Sequence, residues 1–121
     1  MESTTEGLTR LREICLGLPE ASEEGGVGDP TFKVRGKVFA MRHPAGDNRE
    51  SLWVKAQAGV QSTLVAAEPE RYFVPPYVGK HGWVGVWLDA DQDWNFINDL
   101  ILESYCLTAP KKLIALLKPT K

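Results

Sequence analysis

A chain of 121 residues fits one domain spanning residues 1–121 and leaves no room for two. It can bury roughly two-thirds of its unfolded surface, so neither a disulfide nor a metal is required for folding. Hydrophobic residues at 43% and charged residues at 25% exclude a largely disordered chain, and no apolar run reaches the roughly 20 residues of a membrane span. A net charge of -2 excludes a strong polyanion binder as a whole, but the charge is segregated. Residues 1–30 carry -5, 31–55 carry +4, 56–80 balance, 81–110 carry -5 and 111–121 carry +4.

Leu8, Leu11, Ile14, Cys15 and Leu18 recur at helical spacing, and Ser3 with Glu6 fits a capping box, so residues 4–16 are predicted to form an amphipathic helix ended at Gly17. Glu20 to Pro30, with three glycines and its acids, reads as a loop. Thr31-Phe32-Lys33-Val34-Arg35 alternates apolar with basic residues as a strand does. Gly36-Lys37 fits a two-residue type II′ turn with glycine first, and Val38 to His43 forms the return strand. Pro44 to Glu50 reads as a polar loop and Ser51 to Lys55 as a third strand. Residues 57–67 fit a short helix with Val60, Leu64 and Ala67 inward, and Tyr72 to Val74 a short strand stopped by Pro75-Pro76.

Gly82 to Leu88 reads as a strand with Trp83, Gly85 and Trp87 on one face and Val84, Val86 and Leu88 on the other. Asp91 or Asp93 caps a long helix over 93–107, and Pro110 opens a last short helix carrying Leu113, Leu116 and Leu117. The order α-β-β-β-α-β-β-α-α, with strands grouped between helices, predicts an α+β fold: an antiparallel sheet of about five strands backed by helices on one face. Cys15 and Cys106 lie in apolar helical contexts without metal spacing, and the polar, acidic start Met1 to Glu6 is unlike a secretory signal. Together they point to the cytosol; the oligomeric state stays open, with a monomer favoured since nothing in the pattern requires a second copy.

The succession Leu18-Pro19, Phe32-Lys33-Val34 with Gly36-Lys37-Val38-Phe39-Ala40, Lys55, Pro76-Tyr77, Gly82-Trp83-Val84, Ser104-Tyr105 and Pro110-Lys111-Lys112-Leu113 resembles the MmcQ/YjbR family over about the whole chain. The resemblance implies a curved antiparallel sheet backed by helices, similar to CyaY (frataxin). It also implies the family's usual description, DNA binding through a double-wing-like arrangement.

Lys33 and Arg35 fall on the face opposite Phe32 and Val34. Lys37 lies in the turn, Arg42 and Lys55 follow on neighbouring strands, and Lys80-His81 adjoins Trp83. A basic hairpin face can contact phosphates through charge and counterion release, and a ring beside it can stack on a base. The expected nucleic-acid contacts are therefore Lys33, Arg35, Lys37, Arg42, Lys55, Lys80, His81 and Trp83. The plainer alternative is a solvated sheet face, with lysines guarding an edge and tryptophans packing. A rival function is a small-molecule or protein site walled by Tyr77, His81, Trp83 and Trp87.

Asp89-Ala90-Asp91-Gln92-Asp93 begins like a calcium loop, but Trp94 and Leu100 stand where that loop needs Gly and Glu. Iron on Glu20, Glu23, Glu24 and Asp29 would rest on exposed carboxylates in a loop, a poor preformed site. His43 and His81 lack metal-ligand spacing, no nucleophile elbow occurs, and Gly25, Gly26 and Gly28 lack the Lys-Ser/Thr of a phosphate loop. No cofactor, metal or catalysis is expected, and DNA is the expected partner.

Overall fold

Helix α1, Ser3–Leu16, forms where the sequence spacing predicts it and buries Leu11 and Cys15 completely. The computed structural model describes residues 3–24, 30–45, 49–75, 78–88 and 93–117, and side chains within these except 3–8, 43–45 and 49. The expected Ser3–Glu6 capping box therefore lies outside the described side chains, as do the glycines at 25, 26 and 28 outside the described residues.

Strand β1, Ala21–Glu24, occupies the first part of the expected loop. Its sequence, Ala-Ser-Glu-Glu, has no apolar alternation. It is a strand because β2, Thr31–Val34, offers it a ladder in the register Ala21↔Val34 to Glu24↔Thr31. Context of this kind overrides weak strand propensity. The turn between β2 and β3 (Lys37–Ala45) is centred on Arg35-Gly36, one residue earlier than expected, with Val34↔Lys37 as its closing pair. Arg35 and Gly36 have φ of 53° and 80°, so both central positions are left-handed, as a type I′ turn requires and a type II′ turn does not.

A register shift between Phe32 and Lys33 makes Phe32 pair with Ala40 and Lys33 with Val38, leaving Phe39 as the extra residue of a bulge. Phe39 and Ala40 are both fully buried. The bulge therefore inverts the in-out phase of the rest of β3. Arg42 is brought opposite Leu52 of β4, Arg49–Val54, on the core side of the sheet.

Helix α2, Val60–Ala67, starts three residues later than expected, after Gly59, and packs Leu64 and Val65 on the core. Ala67 is exposed. β5 is Tyr72–Phe73, a 3₁₀ helix follows at Val78–His81, and β6 is Val84–Trp87. Helix α3, Trp94–Thr108, is capped by Asp93, whose carboxylate accepts from the backbone N–H groups of Asn95 and Phe96 at 3.0 and 3.4 Å; Asp91 lies outside the described residues. Helix α4 is Lys111–Ala115, with Pro110 in the capping position just before it.

The sheet has six strands in the order β1-β2-β3-β4-β6-β5, with every neighbouring pair antiparallel. The sixth strand beyond the expected five is β1. On the core side Phe32, Val34, Leu52, Val54, Val84 and Val86 meet Leu11 and Cys15 of α1 and Ile97, Ile101 and Tyr105 of α3. Each such side chain contributes about 2 kcal/mol by leaving water. Burial pushes the Cys15 thiol up to about 12, with the charge of Glu23 adding. At pH 8 it is therefore protonated and enclosed. Iodoacetamide is expected to label half-buried Cys106 first, and Cys15 only at the rate of unfolding. Peptide mapping of a labelling time course checks this, and labelling of Cys15 at the Cys106 rate would show the α1 packing to be open.

No described helix is long and apolar enough to cross a membrane.

Candidate nucleic-acid interface

The acidic and basic segments separated in sequence meet in space across the β1–β2 ladder. Lys33 Nζ lies 2.9 Å from Glu24 Oε1. Arg35 donates twice to Glu20, at 2.5 and 3.1 Å. Arg12 of α1 grips Glu23 through bonds of 2.9, 3.1 and 2.9 Å. The hydrogen bond from Arg35 holds the Glu20 carboxyl below its ordinary range, with the charges of Arg35 and of Lys112 adding to it. Of the carboxylates considered for iron, Glu20, Glu23 and Glu24 are thus each engaged by a cation, and Asp29 lies outside the described residues.

Arg42 does not share this face. The bulge at Phe39 turns it toward the core, where it is 8% exposed and paired with Glu50. A guanidinium so enclosed cannot reach a phosphate, and the expectation that Arg42 makes such a contact is corrected accordingly.

Lys37 and Lys55 are placed differently. Both lie at the sheet end where β3 begins and β4 finishes. Neither has a carboxylate partner among the described residues, and Lys37 is exposed. The Lys55 backbone N–H donates to Ser104 Oγ at 2.9 Å, and that hydroxyl donates to the Phe39 carbonyl at 2.5 Å. One serine of α3 thereby ties down the ends of both strands. The Lys55 ammonium sits 6.0 Å from the centroid of the Trp83 ring, within cation–π range. Its pKa is lowered by burial first and by the charge of Lys37 second.

The sign of that coupling gives a test. Replacing Lys37 with Gln removes the second cause and leaves the first, so the Lys55 pKa is expected to rise toward its ordinary value without reaching it. A lysine with a lowered folded pKa costs stability while charged; that cost is present below the folded pKa and is relieved as pH rises to the unfolded value. In Lys37→Gln the relief should begin at higher pH. Carbon-13 titration of the Lys55 side chain reads the shift directly, and an unmoved midpoint would mean the two ammonium groups do not interact.

Lys80 and His81 are exposed on the 3₁₀ helix. Gln61 of α2 fixes this segment by donating to the carbonyls of Gly79 and Trp83 at 2.8 and 2.5 Å. Sequence reasoning missed Gln61, since one amide in a short apolar helix carries no signal of its own. Trp83 is 7% exposed, so its ring supports Lys55 more than it offers a stacking surface.

The aromatic wall of the rival site is filled from within. Phe73 pairs with Gly85, and a Cβ there would fall 2.3 to 2.5 Å from Phe73 ring atoms. The Phe73 ring occupies that space and stacks on Trp87 at 4.3 Å and 28°. Tyr77 lies outside the described residues. A shallow cavity of about 340 Å³ does occur, but beside the start of α2, lined by Ala58, Gly59, Val60, Thr63 and Leu64. None of these can titrate or carry charge.

A sequence model of the YjbR family matches residues 16–107. Among solved structures, the Deinococcus radiodurans protein DR2400, described as a DUF419 domain, superposes with a TM-score of 0.72 at 24% identity, covering 83% of this chain and 76% of that one. A protein from Pseudomonas syringae superposes with a TM-score of 0.64 at 16% identity, covering 84% and 97%. At these identities the likeness carries the fold alone. No curated protein matches the sequence.

Proposed function

Because this chain belongs to the YjbR family, whose fold leaves the function to be argued from individual residues, we propose that it is a nucleic-acid-binding module contacting phosphates at the sheet end through Lys37, Lys55 and Lys80, with His81 beside them and Trp83 backing Lys55. The observation that carries this reading is the placement of Lys37 and Lys55 at one end of the sheet, Lys55 over the Trp83 ring, with no carboxylate partner for either among the described residues; burial first and the charge of Lys37 second lower the Lys55 pKa. Like charges held together attract an anion that neutralises both. Lys33 and Arg35, by contrast, already have carboxylates.

A site of three lysines on a chain of net charge -2 binds weakly and without sequence preference. The expected Kd lies at the weak end of the roughly 10⁻⁴–10⁻⁶ M range for non-specific contacts at physiological salt. Fluorescence anisotropy of a labelled duplex and a labelled single strand, each at low and physiological salt, tests it. Salt-sensitive binding to unrelated sequences with similar affinity supports the module; no binding at low salt removes it.

A further inference from the structure

We infer that strand β1 is an internal acidic cover over a second phosphate-binding surface, so that Lys33 and Arg35 take up nucleic acid only when Glu24 and Glu20 release them; this rests on the nucleic-acid reading above. The strand is built for that part and for little else. Its four residues supply only Ala21 to the core packing. As the outermost strand it pairs with one other strand, β2, and it also contacts α1. What it adds, together with Glu20 just before it, is charge: Glu24 on Lys33, Glu20 on Arg35, and Glu23 on Arg12, which ties it back to α1.

The Glu20 carboxylate meets Arg35 through two oxygens, the fork geometry that a phosphate would offer the same guanidinium. Glu20 and Arg35 both stand at left-handed φ, 58° and 53°. Residues bearing a Cβ seldom adopt that conformation; at Arg35 the type I′ turn requires it, and the ion pair joins two residues so held. The pairs are nonetheless exposed, with side-chain exposures of 43% and 50% for Arg35 and Glu20 and 27% and 58% for Lys33 and Glu24. Exposed pairs are screened by salt and open to competition from a denser anion. Once uncovered, Lys33 and Arg35 would add two cations to the hairpin whose turn Lys37 closes opposite Val34.

A four-protein cycle tests the cover: the parent, Glu20→Gln/Glu24→Gln, Lys33→Gln/Arg35→Gln, and all four changes together. Each is titrated against a labelled single strand over a range of salt, with thermal unfolding as the check on folding. Glu24→Gln and Lys33→Gln form a smaller cycle of the same logic should any multiple variant fail to fold. Lys33→Gln/Arg35→Gln is expected to cost less binding in the parent, where both cations are already paired, than in the Glu20→Gln/Glu24→Gln background. The glutamate changes should tighten binding roughly fivefold and steepen the salt slope by about 1.4, two added contacts at about 0.7 each, and adding Lys33→Gln/Arg35→Gln should abolish that gain.

An equal loss from Lys33→Gln/Arg35→Gln in both backgrounds overturns the cover, because unshielded charges act additively. Binding by the parent with such additivity keeps the sheet-end reading and removes only the cover. Binding that appears only after the glutamate changes, and is lost with Lys33 and Arg35, supports the cover and removes the sheet-end site. No binding by any of the four overturns both.

Discussion

Ser104→Ala is expected to destabilise the fold by about 3 kcal/mol, because one hydroxyl bonds two backbone groups at once. Ser104 is fully buried. Its Oγ donates to the Phe39 carbonyl and accepts from the Lys55 N–H. Phe39 is the extra residue of the β3 bulge and Lys55 the first residue past β4, so neither group has a regular ladder partner there. Truncation leaves a buried acceptor and a part-buried donor, each costing about 1 to 3 kcal/mol. The thermal midpoint should fall by roughly 10 °C, and urea unfolding should show a lower midpoint at an unchanged slope. Tyr105→Phe is the calibrating neighbour. It keeps the ring, which meets Phe39 edge-on at 5.4 Å, and loses only the 2.7 Å bond to the Pro19 carbonyl, a change of about 1 kcal/mol. A Ser104→Ala cost no greater than that of Tyr105→Phe would show that the two strand ends hold without the bridge.

The same residues explain what the sequence could and could not tell. Ser104-Tyr105, Lys55 and Leu18-Pro19 stood out as parts of a family pattern, and the structure joins them: Ser104 to the Lys55 backbone, Tyr105 to Pro19. Their spacing reflects a latch between α3 and the sheet. Long elements with a strong period and a cap, such as α3 behind Asp93, were legible because local signals agree there. β1 was not, since Ala-Ser-Glu-Glu becomes a strand only through β2. The hairpin turn was misplaced by one residue because glycine marks a turn without saying which of its central positions it fills; Arg35 takes the other left-handed place.

The candidate site suffered from the same gap between local and tertiary information. Alternation correctly set Lys33 opposite Phe32 and Val34. It could not reveal that Glu24 would face Lys33, nor that a bulge at Phe39 would carry Arg42 to the core. Segment charges of opposite sign looked like segregation in sequence and became pairing in space. Lys37 and Lys55 were named from sequence alongside the paired residues, and only the fold separates them from the rest.

That separation gives the largest expected effect on binding. Lys37→Gln/Lys55→Gln should weaken binding of a labelled strand about tenfold at low salt and flatten the salt slope by about 1.4, for two lost single-strand phosphate contacts. The loss should be equal for unrelated sequences, since phosphate contacts carry no sequence information. Stability should hold, the relief of like charge offsetting the lost contact of the Lys55 ammonium with the Trp83 ring. Lys55 is held to Ser104 by its backbone N–H, which Gln retains, and the variant removes a like-charge neighbourhood in which one member is partly desolvated. A residue kept for folding would lose stability when replaced, so weaker binding in an equally or more stable protein marks a site under tension for its ligand. An unchanged salt slope in that variant, with the parent still binding, would move the interface away from the sheet end altogether.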